Sequence, residues 1–409
     1  MRHDMRLLAG LILFGVCAST ADDAPLQAVF EAHRWFDLRD AVVSGNAPPV
    51  YRLLTAAAFN DLRGVESEWK KLPSAGTSKE QLADAHSAMF RLYLRMGRYR
   101  TAVAELDKME AVDPSRALTA EDRVIADAYR RLPDLKVVSS KPATIATTFW
   151  EGSKTPVIAV TINGIPMKLG IDIASGMNGV TQAEADRLGL RSLEGEPSFR
   201  GGSGNFAQGV HYAVADRMHV GNTELRDAVF LVFPNSNFSM LPLGERGVIG
   251  IPIALAIGTM RWKENREITI AYPGERFDLR SANLAYDADY PITTTEIDGR
   301  KVNLGVDSGG KETLLFPPFF DAFPARIEAA RKGSAHWFGA DGEVTKDAML
   351  LPELRFKLGA FPIVLHESPA LIAPTISQSE CYEGQLGMDA MAQARELTFD
   401  LRAMKVQLK

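Results

Sequence analysis

The chain has 409 residues, enough for two or three domains of ordinary size. Its 46 Lys and Arg against 51 Asp and Glu leave a net charge of −5. That is no basic excess to neutralise phosphates, so nucleic-acid binding is set aside. With 46% hydrophobic and 24% charged residues the composition is globular, neither disordered nor collagen-like.

Residues 1–21 read as a secretion signal. Arg2 and Arg6 make a basic start, Leu7 to Ala18 a short apolar stretch, and Ser19-Thr20-Ala21 a small-residue cleavage site before Asp22-Asp23. The apolar run is shorter than the roughly 18–20 residues that span a bilayer, which weighs against an uncleaved anchor. Phe14-Gly15-Val16 before Cys17 fits poorly with lipid attachment. No later segment reaches a spanning length, so an exported chain, periplasmic or secreted and without a stable membrane span, is expected. Cleavage would leave Cys381 as the single thiol, which rules out an internal disulfide or a cysteine-rich metal site. Its neighbours Glu380 and Glu383 would raise rather than lower its pKa, so it reads as inert.

Residues 24–135 read as helices, and a helical domain is drawn over 22–140. Breaks fall at Ser44 to Pro49 and at Pro73 to Gly76, and Ser78 opens a helix with Glu and Gln nearby, as at a helix start. Gly97, Tyr99, Ala102, Leu106 and Pro114 are spaced for two antiparallel helices with a tight turn at Gly97 and a stop at Pro114. This stretch resembles one tetratricopeptide repeat (TPR), although Phe90 stands where that repeat carries a small residue. Two readings of the TPR-like domain stay open: a cap packed on its neighbour, or a docking surface for a protein partner.

From about Lys141 the texture changes to short β-branched runs separated by Gly, Pro and Asn. Val157 to Ile162 ends at Asn163-Gly164, a hairpin turn signal, and Met167 to Ile171 resumes the strand. Two segments then align without gaps. Ile162-Asn163-Gly164 leads to Leu169-Gly170-Ile171-Asp172-Ile173-Ala174, and Ile297-Asp298-Gly299 leads to Leu304-Gly305-Val306-Asp307-Ser308-Gly309, 135 residues later. Downstream, Gly247-Val248-Ile249-Gly250 answers Gly384-Gln385-Leu386-Gly387. Each precedes a closing strand, Glu267 to Ile270 and Glu396 to Phe399. Gly-rich segments lie between the paired motifs, at Gly201-Gly202-Ser203-Gly204 in one copy and Gly339-Ala340-Asp341-Gly342 in the other. Two β-units, 150–280 and 288–409, are drawn from this duplication, each as a complete small domain.

The ordered set resembles the aspartic-protease family, particularly bacterial chains with two retropepsin-like lobes in tandem. The resemblance implies an α-domain followed by a two-lobe all-β acid-protease barrel. It implies that Asp172 and Asp307 are the catalytic aspartates, and that Ile173, Ala174, Ser308 and Gly309 support them. It further implies that Gly201, Gly202, Gly204, Gly339 and Gly342 belong to flaps. Two carboxylates a few ångströms apart cannot both ionise cheaply, so they share a proton, one serving as base on water and the other as acid. The resemblance implies a polypeptide substrate and no metal or other cofactor.

One copy departs from the family pattern of Asp-Thr/Ser-Gly. Lobe one has Asp172-Ile173-Ala174, so it lacks the hydroxyl that bonds across to the other lobe, and Ala174 is expected to narrow a tight turn. Restoring Thr and Gly there is expected to raise activity. The rival reading is a catalytically degenerate lobe pair that only binds peptides. Other motifs fail on single residues. The run from Gly305 to Lys311 nearly spells a phosphate loop but has Glu312 where Ser or Thr must meet Mg²⁺. His366-Glu367 lacks its second His.

Overall fold

The computed structural model describes residues 24–45, 47–72, 76–150, 153–193, 199–200, 206–207, 209–339, 342–374 and 382–409. Seven helices fill the described residues from 24 to 131: α1 (Ala24–Glu31), α2 (Trp35–Val43), α3 (Pro49–Ala58), α4 (Leu62–Trp69), α5 (Lys79–Arg95), α6 (Tyr99–Val112) and α7 (Ala120–Arg131). Their ends follow from the local sequence. Ser78 and Gln81 form a reciprocal cap: Gln81 N donates to Ser78 Oγ at 3.2 Å and Ser78 N donates to Gln81 Oε1 at 3.1 Å. Gly97, at φ +68°, makes the turn between α5 and α6, and Pro114 sits in a 3₁₀ turn just after α6. Phe90, with Tyr99, Leu106, Met109 and Tyr129, is buried between α5, α6 and α7. A small residue there would leave a void.

Strands begin at Lys136, earlier than the sequence suggested. Lys136–Ser139 pairs with Thr223–Phe233, and Ala143–Phe149 pairs with both Pro156–Ile162 and Glu267–Ile270. Residues 136–149 therefore lie in the lobe-one sheet, not in the helical part or in a linker. The hairpin turns are where the sequence puts them. Asn163 and Gly164 have φ of +48° and +84°, and Asp298 and Gly299 have +51° and +76°. Such turns match the twist of the flanking strands.

The second correction concerns the ends of the two units. Glu396–Asp400 and Lys405–Leu408 do not close lobe two. They pair with each other, and Glu396–Asp400 runs antiparallel to Thr259–Lys263 of lobe one. One sheet thus runs from the C-terminal strands through Thr259–Lys263, Glu267–Ile270 and Ala143–Phe149 into lobe one. Lobe two keeps a separate eight-stranded sheet that starts at Leu284–Asp287. Lobe two is therefore not complete alone, because its closing strand finds its partner on lobe one, whereas Glu267–Ile270 pairs with Thr259–Lys263 and with Ala143–Phe149, a strand that lies before residue 150.

The helices pack on this body. Arg95 is almost wholly buried and is the main polar tie. It donates to Ala57 O at 2.7 Å and to Asn60 Oδ1 at 3.1 Å, bonds Ala288 O, and lies 4.8 Å from the Tyr286 ring centre. Asp287 Oδ1 contacts His33 Nδ1 at 2.7 Å and accepts from Trp35 Nε1 at 3.0 Å. Arg91 donates to Asp289 at 3.0 Å. The face so buried supports the cap reading for this part of the helical surface. Replacing Arg95 with Met is expected to cost about 2–4 kcal/mol, because it strands buried carbonyls on both sides of the contact. Scanning calorimetry would show this as a lowered or split transition, and an unchanged transition would contradict the assigned role.

Candidate active site

Each aspartate sits at the end of a strand that is flanked the same way in both lobes. In lobe one, Ile165–Ile171 pairs antiparallel with Pro156–Ile162 and parallel with Gly247–Ile249. In lobe two, Arg300–Val306 pairs antiparallel with Tyr290–Ile297 and parallel with Gly384–Leu386. Asp172 N donates to Ile249 O at 3.0 Å, and Asp307 N donates to Leu386 O at 2.9 Å. Beyond these strands the chain passes beneath the aspartate loops. Ile251 N donates to Ser175 O at 2.9 Å and Met388 N to Gly310 O at 2.8 Å.

The loops hold the carboxylates alike. Asp172 Oδ1 accepts from Ala174 N at 2.9 Å and Ser175 N at 3.1 Å. Asp307 Oδ1 accepts from Gly309 N at 2.9 Å and Gly310 N at 2.8 Å. The two lobes meet here. A Cβ placed on Gly309 would fall 2.6 Å from the carboxyl carbon of Asp172, so the lobe-two turn lies directly against that group. Thr155 Oγ1 of lobe one also donates to Gly309 O at 3.2 Å. Burial, and then the charge of Asp307, push the Asp172 carboxyl above its usual range, against the lowering effect of its two N–H donors. Burial raises Asp307 too, against the Gly310 and Gly309 N–H donors.

The cross-lobe bond runs from one side. Buried Ser308 Oγ accepts from Ile173 N at 3.0 Å and donates to Ile171 O at 2.8 Å. Ile173 returns no such bond. Its side chain is fully buried in the apolar core, so a Thr there would exchange packing for a hydroxyl. Ala174 departs from expectation. Neither it nor Gly309 has a positive φ, and its N–H serves Asp172 as that of Gly309 serves Asp307. Alanine is accommodated without backbone strain, and the expected gain from a Thr-Gly pair at 173–174 shrinks accordingly. Ser308→Ala is expected to cost about 1–3 kcal/mol of stability, since it leaves Ile171 O and Ile173 N without this buried partner. Chemical denaturation would measure it, and a cost near zero would deny the hydroxyl its bridging role.

Gly201, Gly202 and Gly204 lie outside the described residues. The short strands on either side of that segment pair, Phe199 with Ala207 and Arg200 with Phe206. Gly339 and Gly342 pair with each other at the end of the long hairpin Arg331–Gly339 and Gly342–Leu358. Cys381 is also outside the described residues.

The family comparison bears on lobe one. Residues 158–253 match the aspartyl protease family. The aspartyl protease match spans Asp172, its loop and the Gly247 to Gly250 crossing. No curated protein matches the chain. Among solved structures, a retropepsin-like aspartic protease from Rickettsia conorii is similar at 14% identity, over 34% of this chain and 93% of that one, with a TM-score of 0.22. Basic 7S globulin from soybean is similar at 10% identity, over 66% and 95%, with a TM-score of 0.37. An aspartic proteinase from Irpex lacteus is similar at 13% identity, over 65% and 96%, with a TM-score of 0.36.

Sequence reasoning passed over two residues beside the paired aspartates. Gln385 Nε2 donates to Asp307 Oδ2 at 3.3 Å, and Tyr290 OH donates to Gln385 Oε1 at 2.7 Å. A polar residue within Gly384 to Gly387, where the first copy has Val248, was the available signal. Tyr290 carried none, because only folding lays its ring on Gly305.

Proposed function

We propose that this chain is an aspartic-type endopeptidase that hydrolyses peptide bonds with Asp172 and Asp307. The observation that carries the reading is the matched pair of loops, each pinning one carboxylate oxygen by two backbone N–H groups, with the lobe-two turn pressed against Asp172. In the reaction one ionised carboxylate takes a proton from water while the oxygen adds to the peptide carbonyl carbon. The other carboxyl gives its proton to the carbonyl oxygen, forming a neutral gem-diol. On collapse the first carboxyl returns its proton to the amide nitrogen as the C–N bond breaks. The second recovers a proton from the diol, leaving acid and amine products and the starting protonation state.

A shared proton requires one ionised and one neutral carboxyl, so the rate should form a bell in pH with two constants that belong to the pair. Because burial raises both groups, activity should extend from the acid side toward neutrality. The chain, purified without residues 1–21, would be incubated with a mixed peptide library between about pH 3 and 7, the range of carboxyl titration. Cleavage that depends on both aspartates supports the reading. A chain that cleaves nothing would favour the degenerate peptide-binding pair.

Export to the periplasm or beyond is part of the proposal and rests on residues 1–21 alone. Among the described residues no helix is long and apolar enough to cross a membrane. The helical part is read as a TPR-like cap. Part of its surface is committed to lobe two through Arg91, Arg95, His33 and Trp35 and part to lobe one through Tyr99 and Tyr129, which pack with Met177 and Tyr212; a protein partner would dock on the surface outside these contacts.

A further inference from the structure

The two carboxylates have matching backbone cradles, but their side-chain surroundings differ. Lobe one places Val248 beside Gly170, and lobe two places Gln385 beside Gly305 in the same parallel pairing. Val248 has nothing to donate. Gln385 Nε2 reaches the outer oxygen of Asp307, which is free of the backbone cradle. The amide could in principle face either way. Tyr290 OH donates to Gln385 Oε1 at 2.7 Å, which matches the orientation with the NH₂ toward an ionised Asp307; the flipped amide would make the phenol an acceptor and set Oε1 against the carboxylate. Burial, then the charges of Asp307, Tyr382 and Asp172, hold the Tyr290 phenol protonated far beyond the working range. The tyrosine is itself fixed. Its ring lies on Gly305, where any Cβ would collide with it at 2.2 Å, and stacks on Tyr382 at 5.8 Å and 7°.

We propose that Gln385, steered by Tyr290, is a positioning residue that breaks the symmetry of the pair, holding Asp307 as the ionised base and leaving the shared proton on Asp172. The inference rests on the peptidase reading for its catalytic meaning, but the location of the proton is a property of the folded chain alone. The chemical argument is direct. An amide N–H stabilises a carboxylate and not the hydroxyl oxygen of a neutral carboxyl, so a donor given to one aspartate assigns it the charge. If Asp307 carried the proton, the amide would have to flip to accept it. Tyr290 would then have to give up its bond as donor. The titratable groups facing this arrangement are Asp172, Asp307, Tyr290 and Tyr382. Beside the Asp172 loop, Asp289 is engaged by Arg91. Lys311 and Glu312, two exposed residues, face each other at 3.6 Å.

The test is a pH titration of ¹³C-labelled aspartate carboxyl carbons by NMR, with the two sites assigned from Asp172→Asn and Asp307→Asn. In the unmodified chain the lower-titrating of the pair should be Asp307. Gln385→Leu should raise that lower constant by about one pH unit, a tenfold change in proton affinity. Tyr290→Phe, which keeps the ring on Gly305, should shift it the same way by less. In peptide cleavage the acid limb of kcat/KM should move with it, while KM on the plateau stays put. A lower constant that belongs to Asp172, or one unmoved by both variants, would overturn the assignment. Cleavage with an unmoved acid limb sinks this inference and spares the peptidase reading. The NMR shift without any cleavage does the reverse.

Discussion

Asp307→Asn is expected to reduce peptide cleavage to about one-thousandth or less, the scale of lost acid–base catalysis, and Asp172→Asn to do the same. Asparagine can neither ionise nor deliver a proton, and the remaining carboxyl cannot serve as base and acid in one step. Both loops keep their backbone cradles in these variants, because an amide oxygen still accepts from Ala174 and Ser175 or from Gly309 and Gly310. The loss should therefore fall on kcat with little change in KM. Cleavage that survived Asp307→Asn would place the chemistry on other residues.

The same substitutions have an opposite effect on stability, and its sign follows from the burial. Both carboxyls titrate higher in the folded chain than in the unfolded one. Such a group contributes stability that is fully present below its unfolded value, about pH 4 for an aspartate. That contribution is lost as the pH rises through the raised folded value. An asparagine has no charge to bury. Asp172→Asn should thus match the parent near pH 4 and exceed it in thermal midpoint at pH 7. The gain is about 1.4 kcal/mol for every pH step that separates the folded titration from the unfolded one. Melting curves across that window would check it. A variant less stable than the parent at pH 7 would mean that burial does not penalise this charge.

The second large effect concerns the crossings beneath the loops. Gly387→Ala is expected to destabilise the chain by roughly 3 kcal/mol, and Gly250→Ala comparably, as overpacking against backbone does. Neither glycine has an unusual backbone, with φ of −95° and −96°. Space is the constraint. A Cβ at 387 would lie 2.5 Å from the carbonyl carbon of Glu312, and one at 250 would lie 2.3 Å from Met177 O. Those backbones cannot retreat without moving the Asp307 and Asp172 loops, so activity should fall with stability. Gly176→Ala is the control, since its Cβ would meet only Asp289 Cβ at 3.8 Å, and a change within about 0.5 kcal/mol is expected there. Equal losses at all three positions would refute the steric argument.

What could be read from residues alone was whatever repeats or punctuates. The helices of 24–131 announced themselves by Ser78, Gly97 and Pro114, because caps and turns are local chemistry. The two aspartates stood out because their strand, turn and glycine-bearing crossing occur twice in the same order, and a single copy would not have been convincing. The strand assignments at 136–149 and at the C-terminus were different. A strand's partner depends on which edge is open in the folded chain, so nothing local shows that Glu396–Asp400 lies on Thr259–Lys263. The tolerance of Ala174 was equally hidden, since it depends on a φ that the loop sets. Most of all, the difference between the two carboxylates was out of reach. Tyr290 and Gln385 are 95 residues apart, and they matter only because the parallel pairing of Gly305 with Gln385 sets a hydroxyl, an amide and Asp307 in one line. The duplication determined that there would be two aspartates. Side-chain packing around lobe two, where an amide replaces Val248, decided that they would not be equivalent.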